Sequence, residues 1–388
     1  MHEVVHHPPL AELFDLLPAE LDALSHNWGW PKFRGQQLRE WVYQRLVSDP
    51  EKMSNFSKLD RQTLPQRLTI GSATVTTHQA SGDGTQKLLL SWAPSIGATQ
   101  GAVAETVMIP DDDRRTACVS SQVGCPVGCR FCASGIGGAK GNLSAAQIVE
   151  QVFALNRILA EGNQASGKTR QRSDNAGGSL SSSVAPHRTP AVPKITNIVF
   201  MGMGEPLANY ANVMKAIRVL HDPNCFNIGG RRITISTVGV PPKMRELANE
   251  DLPLNLAISL HAPNEVLRRQ LIPWAEHFSI SEILDAARYY FDQTGREITL
   301  EYILLSGVND LPQHARELAR VCKTLRANVN LIRYNEVATL PYKRPISEDV
   351  VIFQDILRSN GVNAHVRKSR GRDIDAACGQ LRRKQEVG

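Results

Sequence analysis

The spacing of apolar positions changes character twice along the chain. Leu10–His26 (LAELFDLLPAELDALSH) and Phe33–Val47 (FRGQQLREWVYQRLV) place large apolar residues three and four apart, which predicts two amphipathic helices, the second bracketed by Pro31 and Pro50. From Leu68 the period falls to two. Residues 73–92 (ATVTTHQASGDGTQKLLLSW) predict strand, Gly-Asp-Gly turn, strand, and residues 103–125 (VAETVMIPDDDRRTACVSSQVGC) a second hairpin turning at Asp111–Asp113. Beyond the second hairpin the two periods alternate. A helix with Ser144 as N-cap (144–161) is followed by strand–helix pairs starting at ITNIVFMG, RRITISTVG, LNLAISLHA, EITLEYILL and NVNLIRYN, and NAHVRKS closes the series. A repeated β–α order implies a parallel sheet with right-handed crossovers, either barrel-like or doubly wound.

One stretch interrupts the series. Residues 162–194 are rich in Ser, Gly, Ala and Pro and nearly free of large apolar groups, so burial cannot offset their ordering entropy. They predict a disordered surface insertion, with Lys168, Arg170, Arg172 and Arg188 as its cations. With 388 residues, 42% of them hydrophobic, the chain is long enough for a large core and two or three domains. No apolar run approaches the roughly 18 residues of a membrane span. The first residues lack a signal peptide's charged start and apolar core, which points to the cytoplasm and no membrane partner. The net charge of +6 is unevenly placed. Arg367, Lys368, Arg370, Arg372, Arg382, Arg383 and Lys384 crowd the C-terminal segment, a composition that suits phosphate backbones or, equally, a solvated basic surface.

The seven cysteines are not a disulfide framework: their number is odd, and a large cytosolic chain keeps thiols reduced. Cys225 and Cys322 stand alone and are expected to be buried packing. Cys125, Cys129 and Cys132 form a Cx3Cx2C loop with Gly124 and Gly128 permitting tight turns. Thiolates at this spacing suit an iron–sulfur cluster, and three ligands leave one iron of a [4Fe-4S] cluster open to a small molecule. Zinc is the competing metal, although structural zinc takes four protein ligands and no second CxxC or suitably spaced His is present.

With Phe131 ahead of its last cysteine, this loop resembles the radical S-adenosylmethionine (SAM) superfamily. That resemblance implies that the open iron binds the amino and carboxylate groups of SAM, which cleaves reductively to a 5′-deoxyadenosyl radical. It also implies a partial (β/α) barrel. FMGMGEPLAN (200–209) resembles the superfamily segment that holds the methionine amino group, which assigns Gly204 and Glu205 to the cofactor.

VSSQVGC at the cluster, SLHAPN (259–264), FRGQQLREWVY near the start and RKSRGRDIDAACGQL (367–381) together resemble the RlmN family, over nearly the whole chain outside the insertion. The resemblance implies methylation of adenine C2 in 23S rRNA and in tRNA, at the adenosine 3′ of the anticodon. It uses two SAM molecules per turnover and an electron donor such as flavodoxin or ferredoxin. Adenine C2 is electron-poor and offers no lone pair to a sulfonium methyl. By resemblance Cys378 first accepts a methyl group, a radical formed on that methyl adds to C2, Glu105 takes the C2 proton, and Cys118 resolves the protein–RNA adduct through a transient disulfide with Cys378. Ser236, Ser259, Leu260, His261 and Asn335 are carried over as further cofactor contacts at predicted strand ends. At Asn335 the chain reads Arg-Tyr-Asn-Glu where the family often has Pro-Trp-Asn-Pro.

The expected organisation is an accessory RNA-binding region of helices and hairpin (1–100), a radical SAM core (101–366) and a C-terminal segment (367–388) carrying Cys378. Phe33, Arg34, Gln36, Gln37, Arg39 and Trp41 mix basic and aromatic groups as RNA contacts do, but Phe33 and Trp41 are expected to pack internally. Two alternatives stay open: Cfr-type methylation at adenine C8, and a non-catalytic iron–sulfur or zinc RNA-binding protein.

Overall fold

A computed structural model describes residues 10–94, 101–173 and 194–381, with backbone alone for 163–173. The first leucine-spaced segment is not one helix. Ala11–Glu12 is extended, Leu13–Asp15 forms a 3-10 turn, and helix α1 (Pro18–Asn27) begins at a proline whose preceding residue, Leu17, is extended. Proline disfavours helical backbone before it and is well placed in a first turn, so the break falls where the sterics put it. The second segment gives α2 (Phe33–Arg39), then widens into a π-helical turn over Glu40–Gln44. Trp41 packs inward as expected, but Phe33 is 52% exposed. It stands on the first turn of α2, and the Arg34 guanidinium covers its ring at 5.4 Å. A short helix α3 (Lys58–Thr63) follows.

These elements share the main core. Phe14 meets Phe153 with ring centroids 5.0 Å apart, Tyr43 meets Phe226 at 5.0 Å, and Asp15 pairs with Lys215 at 2.9 Å.

Ten strands form one continuous sheet: β1 (Thr74–Ala80), β2 (Gln86–Ser91), β3 (Val103–Asp111), β4 (Arg114–Cys118), β5 (Asn197–Phe200), β6 (Ile233–Thr237), β7 (Asn255–Ser259), β8 (Ile298–Leu304), β9 (Ala327–Arg333) and β10 (Ala364–Arg367). Each lies beside its neighbour in chain order. The pairings from β1 to β4 are antiparallel and those from β4 to β10 parallel. A doubly wound sheet would reverse its strand order at a switch point; this one never does, so it is the barrel-like alternative, left open because no described pairing joins β10 to β1. The hairpin β1–β2 extends this sheet instead of forming a layer of its own.

The crossovers carry α4 (Ala145–Ser173), α5 (Tyr210–His221), α6 (Pro241–Ala248), α7 (Glu265–Leu271), α8 (Ile280–Thr294), α9 (Pro312–Cys322) and α10 (Ser347–Ser359). Ser144 caps α4 as expected, its Oγ accepting from Gln147 N–H while the Gln147 side chain accepts from Ser144 N–H. Helix α4 runs beyond Gly162 to Ser173, so the first part of the expected insertion is helical. Once a helix is nucleated, Gln, Ala, Lys and Arg extend it cheaply. The remainder of the insertion, residues 174–193, lies outside the described residues, as do Arg382, Arg383 and Lys384. Helix α7 had no apolar period to announce it; Asn264 caps it by accepting from Leu267 N–H at 3.0 Å. No described helix is long and apolar enough to cross a membrane.

After β10 the chain turns back over the open end of the barrel. Two anchors hold it. On the hairpin side, Gly371 N–H donates to Asp83 at 3.0 Å, Ser81 donates to Asp373 at 2.6 Å, and Lys87 Nζ donates to the Asp375 carbonyl at 3.3 Å. On the cysteine-loop side, Ala133 N–H donates to the Gly379 carbonyl at 2.8 Å and Ser134 Oγ to the Leu381 carbonyl at 2.6 Å. Cys378 therefore hangs between the hairpin and the Cx3Cx2C loop.

Candidate active site

The C-terminal ends of the parallel strands open into a cavity that the cysteine loop also lines. Cys125, Cys129, Cys132, Gly204, Glu205, Ser236, Ser259, His261 and Cys378 all line it. These residues are spread over more than 250 positions of sequence, and the barrel brings them to one chamber.

The cysteine loop is shaped by glycine. Gly124 has φ +78°, and a Cβ there would fall 2.1 Å from the Gly138 carbonyl oxygen. Burial pushes the three thiols up, Cys125 to about 12, with neighbouring thiols adding to the effect. Such a site disfavours free thiolates and suits a metal centre that takes thiolate as ligand. Among the described residues no three His, Cys, Asp or Glu side chains gather as one metal ion would require. In a cluster each thiolate holds a different iron, so the ligands need not converge on one point. The donor set fits a cluster better than a single zinc.

Glu205 is buried. Its two carboxylate oxygens accept from Val238 N–H at 2.8 Å and Leu207 N–H at 3.0 Å, the Thr237 hydroxyl adds a third hydrogen bond, and acceptor capacity remains for an ammonium. Burial raises its pKa to about 7 despite those hydrogen bonds. Gly204, at φ +107°, presses against Ser121 and Gln122, where a Cβ would lie 2.6 and 2.8 Å from their atoms. Ser236 and Ser259 stand side by side, Oγ to Oγ 3.3 Å. His261 has φ +58° and accepts from Ile303 N–H through Nδ1 at 3.1 Å, leaving Nε2 to carry its proton. Burial and the Arg268 charge lower its pKa to about 3, so the ring is neutral, packed edge-on to Phe131. Asn309 donates to the His261 carbonyl at 2.9 Å and holds that turn.

Two of the carried-over cofactor contacts do not line the cavity. Leu260 is buried behind it, its N–H donating to the Glu301 carbonyl at 3.1 Å. Asn335 instead holds the tail, donating to the Cys378 carbonyl at 3.2 Å while Arg344 donates to its oxygen at 3.1 Å.

Cys118 ends β4 and is buried beside the cavity, near both Cys378 and Arg367. Burial pushes its thiol up to about 12; the Cys378 thiol adds to this and the Arg367 charge opposes it. Arg367 ends β10, within 3.4 Å of the Glu301 carboxylate, and its own pKa is raised by Cys378 first and then by Glu301. All seven cysteines are free thiols, with Cys225 and Cys322 buried as expected. Glu105 lies in β3, is 5% exposed, and pairs with Lys87 at 3.2 Å. It does not line the cavity, but Lys87 connects it to the tail three residues before Cys378.

Several neighbours escaped the sequence reading. Glu301 interrupts an otherwise apolar buried strand, ITLEYIL, which was the signal available. Lys87 faces Glu105 from no motif, and Arg268 hides in an ordinary helical RR pair. Arg268 is buried, donates to the Val238 carbonyl at 2.5 Å, and its charge bears on Cys129.

Residues 11–70 match the family described as ribosomal RNA large subunit methyltransferase N-terminal domain, and residues 189–320 match the radical SAM superfamily. A probable dual-specificity RNA methyltransferase RlmN of Symbiobacterium thermophilum is 43% identical over 95% of this chain and 90% of its own. The chain belongs to the RlmN family. The RlmN of Thermosynechococcus vestitus, also described as a probable dual-specificity RNA methyltransferase, is 41% identical over 95% of this chain and 97% of its own. The crystal structure of a radical SAM methyltransferase from Sphaerobacter thermophilus superposes with a TM-score of 0.83 at 40% identity, covering 96% of this chain and 99% of that one. The protein is thus a radical SAM RNA methyltransferase with RNA as its substrate. Its superfamily uses a [4Fe-4S] cluster and SAM, the group to which the cavity's donor set is suited.

Proposed function

We propose that this RlmN-type enzyme methylates C2 of adenine in 23S rRNA and in tRNA, with Cys378 as the methyl carrier and Cys118 as the resolving thiol. The observation that carries the reading is the shared chamber: Cys378 lines the same cavity as Cys125, Cys129 and Cys132, and the Cys118 thiol stands next to it. The dual specificity ascribed to its relatives supports two RNA substrates.

Cys125, Cys129 and Cys132 hold the cluster. Gly204 and Glu205 receive the methionine end of SAM, and Ser236, Ser259 and His261 its remaining polar groups. When bound, the cluster and two SAM molecules supply a methyl cation equivalent and a hydrogen-abstracting radical, with one electron from a flavodoxin- or ferredoxin-like donor.

The residues of the chain do the rest. The Cys378 sulfur takes the methyl group by displacement, with the Arg367 guanidinium beside it. After loss of one hydrogen from that methyl group, its carbon bonds to adenine C2 and tethers RNA to Cys378. Glu105 accepts the C2 proton, and the odd electron of the adduct would return to the cluster, so that the ring regains its aromaticity. The Cys118 thiolate then attacks the Cys378 sulfur; the sulfur–carbon bond breaks, a Cys118–Cys378 disulfide forms, and a proton completes the new methyl group.

Cys378→Ala is expected to make no 2-methyladenosine in an anaerobic assay followed by nucleoside mass spectrometry. Full methylation by that variant, or a wild-type product that is 8-methyladenosine, defeats the reading. Cys118→Ala should accumulate protein covalently joined to RNA on a denaturing gel, and normal turnover would remove Cys118 from its role.

A further inference from the structure

Beside the catalytic cavity lies a second cleft, open to solvent. Its walls carry Arg333, Arg344, Arg367, Lys368, Arg370 and Arg372 against one acid, Asp83. Two strand ends, the loop after β9 and the tail bring these cations together.

Their charges are only partly matched among the described residues, with ion pairs at Arg370 and Arg367 alone. Asp83 is already engaged by Gly371 and Thr85 N–H groups at 3.0 Å each. Arg370 meets Asp111 at 3.6 Å, and Arg367 meets Glu301 at 3.4 Å. Arg344 donates to the Tyr334 carbonyl and the Asn335 amide oxygen, both neutral. Arg333 donates to the Pro345 carbonyl, and its Nε is buried with no partner. Lys368 and Arg372 are exposed and make no ion pair among the described residues. The repulsion leaves a mark: burial first, then the charges of Arg372 and Arg333, lower the pKa of Arg344. A fold that holds unmatched guanidiniums together spends stability to create a positive field, and an anion recovers it.

We infer that this cleft binds the sugar–phosphate backbone of the RNA immediately beside the target adenosine, a reading that rests on the methyltransferase activity proposed above. Guanidinium forks match phosphate oxygens, and cations strung along an open trough suit a polyanionic strand better than one enclosed phosphate. Position gives the cleft its purpose. Arg367 lines both this trough and the cavity holding Cys378, so a strand whose phosphates follow the trough passes the mouth of the active site. An adenine must leave its stack for C2 to meet a thiol-borne carbon, and phosphates gripped beside the mouth fix where the flipped base enters.

The test is equilibrium binding, by fluorescence anisotropy, of an RNA stem-loop with an unpaired adenosine. It uses the cluster-loaded full chain without reductant, at salt from about 50 to 200 mM. Lys368→Ala/Arg372→Ala should bind about tenfold more weakly at the lowest salt, and the slope of log K against log salt should shrink by about one to two units. Arg316→Ala/Arg320→Ala on α9, equally exposed but outside the trough, should match wild type. Iron content and Tm of each variant report on folding, and Lys368→Gln replaces the double variant if that one melts early. Unchanged affinity and slope in the trough variant overturn the inference. So does unchanged RNA affinity with slowed reduction by an acidic flavodoxin, which would make the trough a donor dock. Because binding is read without turnover, a wild type that forms no 2-methyladenosine sinks the proposed reaction and leaves this measurement standing.

Discussion

At the scale of single residues, the site depends on positions where a side-chain atom more or less decides the outcome. Gly204 is the sharpest. Its φ of +107° is open to few residues besides glycine, and a methyl group there collides with Ser121 and Gln122 at 2.6 and 2.8 Å. Gly204→Ala is expected to cost about 1–3 kcal/mol and to displace Glu205 from the cavity wall. The measurements are a thermal melt of the apo-protein and SAM affinity by calorimetry; unaltered SAM binding would show that Glu205 does not depend on that turn. Legibility at this scale follows chemistry. Cysteines at Cx3Cx2C spacing announce themselves because few other purposes need three thiols within eight residues. Lys87, Arg367 and Glu301 could not be read that way, because their meaning is a distance to Glu105, Cys378 or Arg367 that only the fold creates. Glu105 illustrates both sides: its sequence position suggests a surface acid, yet it is buried against a lysine from the neighbouring strand.

At the scale of elements, the hairpin β1–β2 serves as a clamp for the catalytic tail. The turn Ser81–Thr85 presents Ser81 and Asp83 to Asp373 and Gly371, and β2 sends Lys87 to the Asp375 carbonyl. Burial would raise the Asp83 carboxyl, but hydrogen bonds from Thr85, Gly371 and Ser81 outweigh it and bring its pKa down to about 2. A depressed carboxyl pKa stabilises the fold above the unfolded value near 4, and that stabilisation is lost as pH falls from about 4 to about 2. Asp83→Asn should therefore have a lower Tm than wild type at pH 7, and the gap should close over that acid window. Methylation should also slow, since Cys378 lies a few residues past the clamp. Equal Tm values at pH 7, with equal hydrogen exchange at Gly371, would release Asp83 from this role. The elements themselves were mostly visible in the apolar period. Where they were not, local sterics had won: Pro18 split the first helix, and α7 is too short to show a period.

At the scale of the whole molecule, the strand sequence made a parallel β–α sheet plain but left barrel and doubly wound forms equally open. Strand order separates them, and order is a long-range property that periodicity does not carry. Nor does periodicity reveal that the hairpins preceding the cysteine loop continue the barrel's own sheet. That continuity has a physical consequence. A chain beginning at residue 101 would expose the whole hydrogen-bonding edge of β3, with Ala104, Val107 and Met108 no longer covered by β2. It would also leave Phe153 without Phe14 and the tail without Lys87. Unpaired edges with apolar side chains associate. The truncated chain is therefore expected to aggregate, or to melt well below the full chain, and to lose methylation even where iron is retained. Sedimentation, thermal melting and an iron count after anaerobic reconstitution check this together. A monomeric 101–388 fragment with the full chain's Tm would mean that the N-terminal hundred residues serve RNA alone; the packing of Phe14, Tyr43 and Lys87 across that boundary argues that they also build the chamber in which the chemistry takes place.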